Sequence, residues 1–420
     1  MICISTRGKA PAVSLKQAVI AGLAPDGGLY VPEHLPRLNN DWWNRQRGRS
    51  FQDVAVALSA ELAADEFDGV SLETLIRDAL NFPVPVLAFD ERLSVVELFH
   101  GPTFAFKDFG ARTLARLMAH LNQSADPLTV LVATSGDTGG AVAHAFFSVP
   151  GTRVVVLYPE GQVSDVQEAQ FTTLGGNVTA IAVRGTFDDC QRLAKEAFAD
   201  ETLVARVRLT SANSISLGRL LPQIFYYAYA ALQCTQPPVI SVPSGNFGNL
   251  AAGVMAWKLG APIARFSAPT TINDTVPRFL STGRVEPRPS VPTLANAMDV
   301  GNPSNLERLQ WLFGGDVAAM RAMISSSAHT DDEVRRTIAE LHQQFDYVAD
   351  PHTAIAFLGT GADSRDTFFL STAHPAKFRD VVESVIRKTV QLPDTLAATL
   401  TRKKVAQQIA PKLEELSPLL

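Results

Sequence analysis

Lys107 is the residue whose surroundings in the sequence most invite chemistry. It follows a Gly101-Pro102 turn and the apolar run Phe104-Ala105-Phe106. It also opens a stretch (Ala111, Leu114, Ala115, Leu117, Met118, Leu121) whose apolar residues recur at roughly the 3.6 spacing of a buried helix face. Lysine is normally exposed, because desolvating an unpaired ammonium is costly. Burial between Phe106 and Phe109, at the positive end of a helix, favours the neutral amine. That is the form that condenses with a carbonyl cofactor to give a Schiff base. A lysine snorkelling from the first turn of a helix is the other reading of the same pattern.

A second candidate lies far along the chain. Ser244-Gly245-Asn246-Phe247-Gly248-Asn249 separates the strand-like Val239–Val242 from the helical stretch Leu250–Leu259. Glycines there let backbone N–H groups turn toward an anion, and the helix start adds positive potential. The loop is neither a Walker A motif nor G-x-G-x-x-G, and taken alone it is equally a tight turn. Ser135-Gly136-Asp137-Thr138-Gly139-Gly140 has the same architecture with added hydroxyls. It could hold a carboxylate or phosphate, or cap a helix through Ser135 or Asp137. Ser211 to Arg219 is dense in hydrogen-bonding side chains ahead of an expected helix over Leu220–Leu232, either as an N-cap cluster or as part of a polar site. Thr372, ending a last apolar strand, could offer its hydroxyl to a ring nitrogen, whereas His374 reads as a loop histidine. No HExxH, EF-hand or G-x-S-x-G pattern is present. The histidines are unpaired and the cysteines scattered, so no metal site is expected.

The elements that must position these loops alternate between strand and helix. Residues 1 to about 85 read as a mostly helical lead segment: Leu15, Val19, Ile20 and Leu23 at helical spacing, then Phe51–Ala64 and Leu72–Leu80. Leu29–Pro32 offers a short strand there, and Pro83 and Pro85 mark a boundary. Beyond it come strand candidates Leu93–Leu98, Leu128–Ala133, Val154–Tyr158, Val178–Val183, Val239–Val242 and Asp366–Thr372. Helical stretches interleave with them at Ala141–Phe147, Phe187–Phe198 and Leu250–Leu259. This alternation predicts an α/β protein with mainly parallel sheets, whose ligands sit beyond the C-terminal strand ends. Thr330-Asp331-Asp332-Glu333 reads as a capping box opening a helix to Phe345, and the tail from Arg402 as a solvated helix.

Composition narrows the function classes. With 37 basic and 42 acidic residues in 420, the net charge of −5 and the absence of a like-charge block give no support for nucleic-acid binding. Apolar runs are interrupted well before a membrane-spanning length. Met1-Ile2-Cys3-Ile4-Ser5, followed by Arg7 and Lys9, lacks the apolar core of a signal peptide. Cys3, Cys190 and Cys234 form no CxxC pair, so a reduced, cytoplasmic setting is expected.

A lysine in an apolar loop, with a Gly-rich anion loop later in the chain, suits pyridoxal phosphate: the lysine takes the aldehyde and the second loop the phosphate. That order resembles fold type II of the pyridoxal-phosphate enzymes, the tryptophan-synthase-β-like family. Within it the wording resembles threonine synthase of the bacterial and fungal type. The matching segments are Asp26–Tyr30, His100–Gly110, Thr134–Gly139, Ser211–Ser214, Val242–Asn249, Asn273–Leu280, Asn296–Val300 and Thr372–Phe378. The resemblance runs to about residue 390.

It implies a threonine-synthase N-terminal domain over 1–85, a cofactor-binding catalytic region of two α/β subdomains over 86–390, and a helical tail over 391–420. It implies that Lys107 carries the cofactor and shuttles protons at the substrate's Cα and Cβ. Gly245, Asn246, Phe247, Gly248 and Asn249 would bind the cofactor phosphate, and Thr372 the pyridine nitrogen. Asp137 stands where many fold type II relatives carry an Asn near the ring's 3′ oxygen, and an ionised Asp cannot donate to that oxygen. Thr103, Ser135, Thr138, Asn213, Ser214 and Arg219 become candidates for the substrate's carboxylate and phosphate, Arg219 as a bidentate clamp. The implied reaction converts O-phospho-L-homoserine and water to L-threonine and phosphate. Its rivals are a phospho-lyase acting on the same substrate, a threonine or serine dehydratase and a non-catalytic binding relative. A nucleotide-binding α/β protein is more distant still, because both nucleotide-phosphate fingerprints are missing.

Overall fold

The structure, a computed structural model, describes residues 1–63, 66–122, 124–361 and 365–420. Leu128–Ala133 is buried at every position, the pattern of a strand covered by helices on both faces. It lies in a wholly parallel five-stranded sheet ordered Gln407–Ile409, Val178–Val183, Thr152–Pro159, Leu128–Ala133 and Leu209–Ser211. A second sheet runs Ile324–Ser325, Arg265–Ser267, Val239–Ser241, Thr367–Ser371, Leu93–Glu97 and Val86–Ala88. It is parallel except at the Val86–Ala88 edge. Its register sets Ser371 beside Glu97, and Phe369 beside both Val95 and Ser241. Three chain segments therefore leave the same end of this sheet: the lysine loop, the Thr372 segment and the Gly-rich loop. That end is where open α/β sheets bind ligands.

The helices start where the sequence signals them. Lys107–Leu121 buries Phe109, Ala111, Leu114, Ala115 and Met118. Thr330 caps Asp331–Phe345 reciprocally with Glu333, so the acidic run is a helix start. The lead segment is less helical than its periodicity suggests. Helices Leu15–Ala21, Asn40–Gln46, Phe51–Ala63 and Gly69–Ala79 are joined by a three-stranded antiparallel sheet of Val13–Ser14, Ile2–Ser5 and Tyr30–Pro32. Strands this short carry too few residues for an alternation signal. Ala64, expected to end the second helical stretch, lies outside the described residues.

Two further expectations are corrected. The helix expected over Leu220–Leu232 is three pieces, Leu217–Leu220, the 3-10 turn Leu221–Gln223 and Ile224–Leu232. Pro222 cannot supply the N–H that a continuous helix needs. The tail is not a solvated helix either. After the helix Asp394–Leu400, Gln407–Ile409 adds a parallel edge strand to Val178–Val183. Ile409, Leu416 and Leu420 then close an apolar cluster with Cys190 and Leu193. No helix among the described residues is long and apolar enough to cross a membrane.

Candidate active site

Lys107 begins its helix at the end of the loop that leaves strand Leu93–Glu97. That loop is held shut by Asp108, whose two carboxylate oxygens accept from the Thr103 N–H at 2.8 Å and the Thr103 hydroxyl at 2.7 Å. It is also pinned to the neighbouring strand's extension. Phe106 N–H donates to the Thr372 carbonyl at 2.9 Å, His374 N–H donates to the Phe104 carbonyl at 3.0 Å, and Ala105 bridges Ala373. Tyr347 braces the strand ends below, its hydroxyl 3.0 Å from Glu97 Oε1 and 3.2 Å from Ser371 Oγ. Phe104 takes the left-handed conformation, φ 57°, a strain of the kind that persists where surrounding contacts over-determine the backbone.

The Lys107 ammonium is 13% exposed and has Asp137 Oδ2 at 3.7 Å and the Phe106 ring centroid at 5.0 Å. Burial pulls its pKa down against the attraction of Asp137, and Lys377 and Arg219 push it down further. Asp137 opens the helix Asp137–Phe146 behind Gly136, whose φ of +140° admits no other residue without strain. Its carboxylate is shared. Oδ1 accepts from Lys377 Nζ at 2.7 Å and from Gln167 Nε2 at 2.9 Å, while Oδ2 faces Lys107. Burial alone would raise the Asp137 pKa, but the two lysines hold it below the usual carboxylate range. Lys377, fully buried, also donates to the Thr103 carbonyl at 2.9 Å.

The Gly-rich loop is built as a cradle. Phe247 sits left-handed at φ 59°, ψ 10°, and turns the chain into the helix Gly248–Lys258. A Cβ on Gly245 would lie 2.5 Å from the Met298 Cα, so no side chain fits at that position. Asn249 Oδ1 accepts from the Tyr226 and Tyr227 hydroxyls at 2.5 and 2.6 Å, which leaves its buried Nδ2 without a partner. Asn246 is turned the other way, donating to Ser214 Oγ at 2.6 Å and accepting from Ser304 N–H at 2.6 Å. A buried lysine amine, an orphaned buried donor and a loop with room only for glycine together fit an aldehyde cofactor carrying a phosphate.

Of the remaining candidates, Ser135 and Thr138 lie half-buried around Asp137, and the Ser135 carbonyl meets Asn296 Nδ2 at 3.5 Å. Asn213 donates to the Ala133 carbonyl at 2.8 Å. Arg219 is buried, donates to the Ala212 carbonyl at 2.5 Å and leaves Nε unpartnered. The Thr103 hydroxyl is committed to Asp108. Among the described residues no hydrogen bond joins the lysine loop to the Gly-rich loop. The Asn296–Met298 turn instead joins the Asp137 loop to the Gly-rich loop, touching Ser135 on one side and Gly245 on the other. Residues not singled out from sequence are Lys377, Asp108, Gln167, Tyr226 and Tyr227. Lys377 carried a signal, since it precedes Phe378 in an apolar stretch much as Lys107 follows Phe106. Among the described residues no group of three His, Cys, Asp or Glu side chains could hold a metal ion.

Comparison with known proteins agrees with this geometry. Residues 88–367 match the family model "Pyridoxal-phosphate dependent enzyme", 3–80 match "Threonine synthase N terminus", and 353–418 match "Threonine synthase, C-terminal". The chain is 43% identical to threonine synthase of Escherichia coli (strain K12) over 396 residues, 92% of this chain and 91% of that protein. It is 33% identical to threonine synthase of Saccharomyces cerevisiae over 484 residues, 95% and 93% of the two chains. The crystal structure of E. coli threonine synthase superposes with a TM-score of 0.95 at 40% identity, covering 100% of this chain and 99% of that one. Pyridoxal-phosphate-bound threonine synthase from Brucella melitensis gives a TM-score of 0.93 at 35% identity, covering 100% and 98%. The lysine, the cradle and the matches over both ends of the chain converge: it belongs to the threonine synthase family of pyridoxal-phosphate-dependent enzymes.

Proposed function

We propose that the protein converts O-phospho-L-homoserine and water to L-threonine and inorganic phosphate. The observation that carries the reading is the buried Lys107 amine, set against a shared Asp137 carboxylate whose loop the Asn296–Met298 turn joins to the Gly245–Asn249 cradle. Lys107, the Gly245–Asn249 N–H groups and side chains, and Thr372 hold pyridoxal phosphate in this reading, with Asp137 organising the lysine. Bound there, the cofactor supplies an aldehyde for amine capture and an electron-withdrawing ring.

The chain's own contribution is to hold and move protons in a site with little water. Lys107 Nζ, favoured neutral by burial and by Lys377, is the base that removes the proton at Cα, gives that proton up, then removes the one at Cβ and gives it back in turn. Asp137 stays ionised against the Lys377 ammonium at 2.7 Å and faces Lys107 from 3.7 Å, which orients the amine without a close ion pair. Thr372 offers a hydroxyl, not a carboxylate, at the end of its strand, and so brings no negative charge of its own to that side of the pocket. Arg219, with an unpartnered Nε, and the half-buried Ser135, Thr138, Asn213 and Ser214 are the groups proposed to anchor the substrate's carboxylate and phosphate. Thr103 supports them indirectly, through the Asp108 contact. The free thiols Cys3, Cys190 and Cys234 suit a reducing, cytoplasmic location.

The test is to supply O-phospho-L-homoserine and measure threonine, phosphate and 2-oxobutanoate together. Equal threonine and phosphate support the proposal, and keto acid without threonine overturns it. Lys107→Ala should lose the visible absorbance of covalently held cofactor and at least about a thousandfold in turnover.

A further inference from the structure

Arg308, in the helix Asn305–Leu312, is completely buried and among the described residues binds no carboxylate. Its Nη1 donates to Asn305 Oδ1 at 2.5 Å and to the Ser214 carbonyl at 3.4 Å. Its Nη2 donates to the Ile215 carbonyl at 2.8 Å and to the Tyr30 carbonyl at 3.0 Å. All four partners are neutral, and Nε has none. Glu307, its neighbour in sequence, is turned away to the Thr6 hydroxyl at 2.5 Å and Arg7 at 3.5 Å. A guanidinium buried this way normally sits against an anion, because an uncompensated buried charge is strongly unfavourable.

The surroundings say where such an anion belongs. Ser214 accepts from Asn246 at 2.6 Å, and both Ser214 and Asn305 stand 3.2–3.3 Å from the point where a Gly248 Cβ would lie. Two of the groups that hold the Arg308 guanidinium are thus the walls of the Ser244–Asn249 loop. That loop contains no basic residue and offers only neutral donors and the start of one helix to a doubly charged phosphate.

We propose that Arg308 is the fixed positive charge held behind the Gly-rich loop for the cofactor phosphate. It acts as a positioning residue that sets the loop through Ser214 and Asn305 and ties it to the lead segment at Tyr30. The proposal rests on the reading of the loop as the phosphate site. Arg308 thereby gives the site its preference for the phosphorylated form of the cofactor, a preference the lysine cannot provide.

The experiment titrates full-length protein, dialysed free of cofactor, with pyridoxal 5′-phosphate and separately with pyridoxal, following visible absorbance. The readout is the ratio of the two affinities. A merely structural role would weaken both ligands together and leave the ratio unmoved. Arg308→Gln should lower the ratio by about thirtyfold, with pyridoxal affinity little changed. Arg308→Lys, which keeps the charge, should hold the ratio within about threefold of the wild type. Asn305→Asp keeps the shape while giving the guanidinium an anion to pair with. It decides the matter if Arg308→Gln does not fold, and an unchanged ratio in it or in Arg308→Gln overturns the proposal. Wild type that binds both ligands equally would instead overturn the reading of the loop itself.

Discussion

Replacing Lys377 with methionine should make Lys107 harder to deprotonate. The two ammonium nitrogens lie on opposite oxygens of the Asp137 carboxylate, at 2.7 and 3.7 Å. They are therefore within about 9 Å of each other, where two unit charges at an effective dielectric of about 20 repel by about 2 kcal/mol. Removing Lys377 removes that repulsion and leaves Asp137 between Lys107 and the neutral Gln167 amide. Since about 1.4 kcal/mol corresponds to one pH unit, the ionisation of Lys107 should move to higher pH by more than about one unit. The sign follows from the linkage: a lost positive neighbour favours the protonated amine, so the reactive neutral fraction falls at every pH below the new midpoint and recovers above it. The assay is the pH dependence of covalent cofactor uptake by cofactor-free protein, read as the rate of appearance of visible absorbance. At a pH below both midpoints the variant should react about tenfold slower than wild type. Lys377→Arg, retaining the charge, should restore the wild-type midpoint more closely than methionine does. Circular dichroism guards against simple unfolding, since Asp137 would be left as a buried carboxylate held by the neutral Gln167 and by Lys107 at 3.7 Å. A folded Lys377→Met protein whose uptake profile is unmoved, or moved toward acid, refutes the electrostatic argument.

Gly245→Ala should lower stability by about 1–3 kcal/mol and loosen the cofactor, because the added Cβ would lie 2.5 Å from backbone at Met298. Thermal melts and cofactor retention on dialysis check this, and unchanged values would remove the cradle argument. Asn249→Ala deletes the orphaned donor and strands the Tyr227 hydroxyl, while Tyr226 keeps Gln223. Cofactor affinity should fall about tenfold or more, with a smaller loss for Tyr227→Phe, both measurable by titration. Burial lowers the His374 pKa from 6.5 to about 4, with His100 adding to the shift. Above about pH 6.5 it costs nothing. As the pH falls toward 4 the unfolded chain binds a proton that the folded chain does not, and stability should drop by up to about 3 kcal/mol. Urea unfolding at stepped pH should show that slope, and His374→Asn should flatten it.

What could be read from the sequence was whatever is encoded locally. The apolar run Leu128–Ala133 is a strand buried on both faces, and its ends match the sequence reading because every residue in it obeys one rule of burial. Thr330 and Glu333 announce a helix start because a capping box needs only four consecutive residues. Lys107 stands out because its flanking phenylalanines and the helix it opens are its nearest neighbours in sequence. The Gly-rich loop is visible for the same reason, and the family wording joined the two. In the lead segment the short strand expected at Leu29–Pro32 is present as Tyr30–Pro32, but Ile2–Ser5, Val13–Ser14 and the tail's Gln407–Ile409 were hidden, since they gain their stability from sheet partners rather than from a pattern of their own.

The site itself divides along the same line. The sequence determined which residue could react and which loop could receive an anion. Only the tertiary structure decided the charge state in which they are held. Asp137 is split between Lys107 and Lys377, Asn249 is aimed by Tyr226 and Tyr227, and Arg308 is buried against neutral carbonyls behind the cradle. Each of these depends on distances between residues tens to hundreds of positions apart. The energy of a buried charge is set by those distances and by the loss of water, and neither is written in the order of the amino acids.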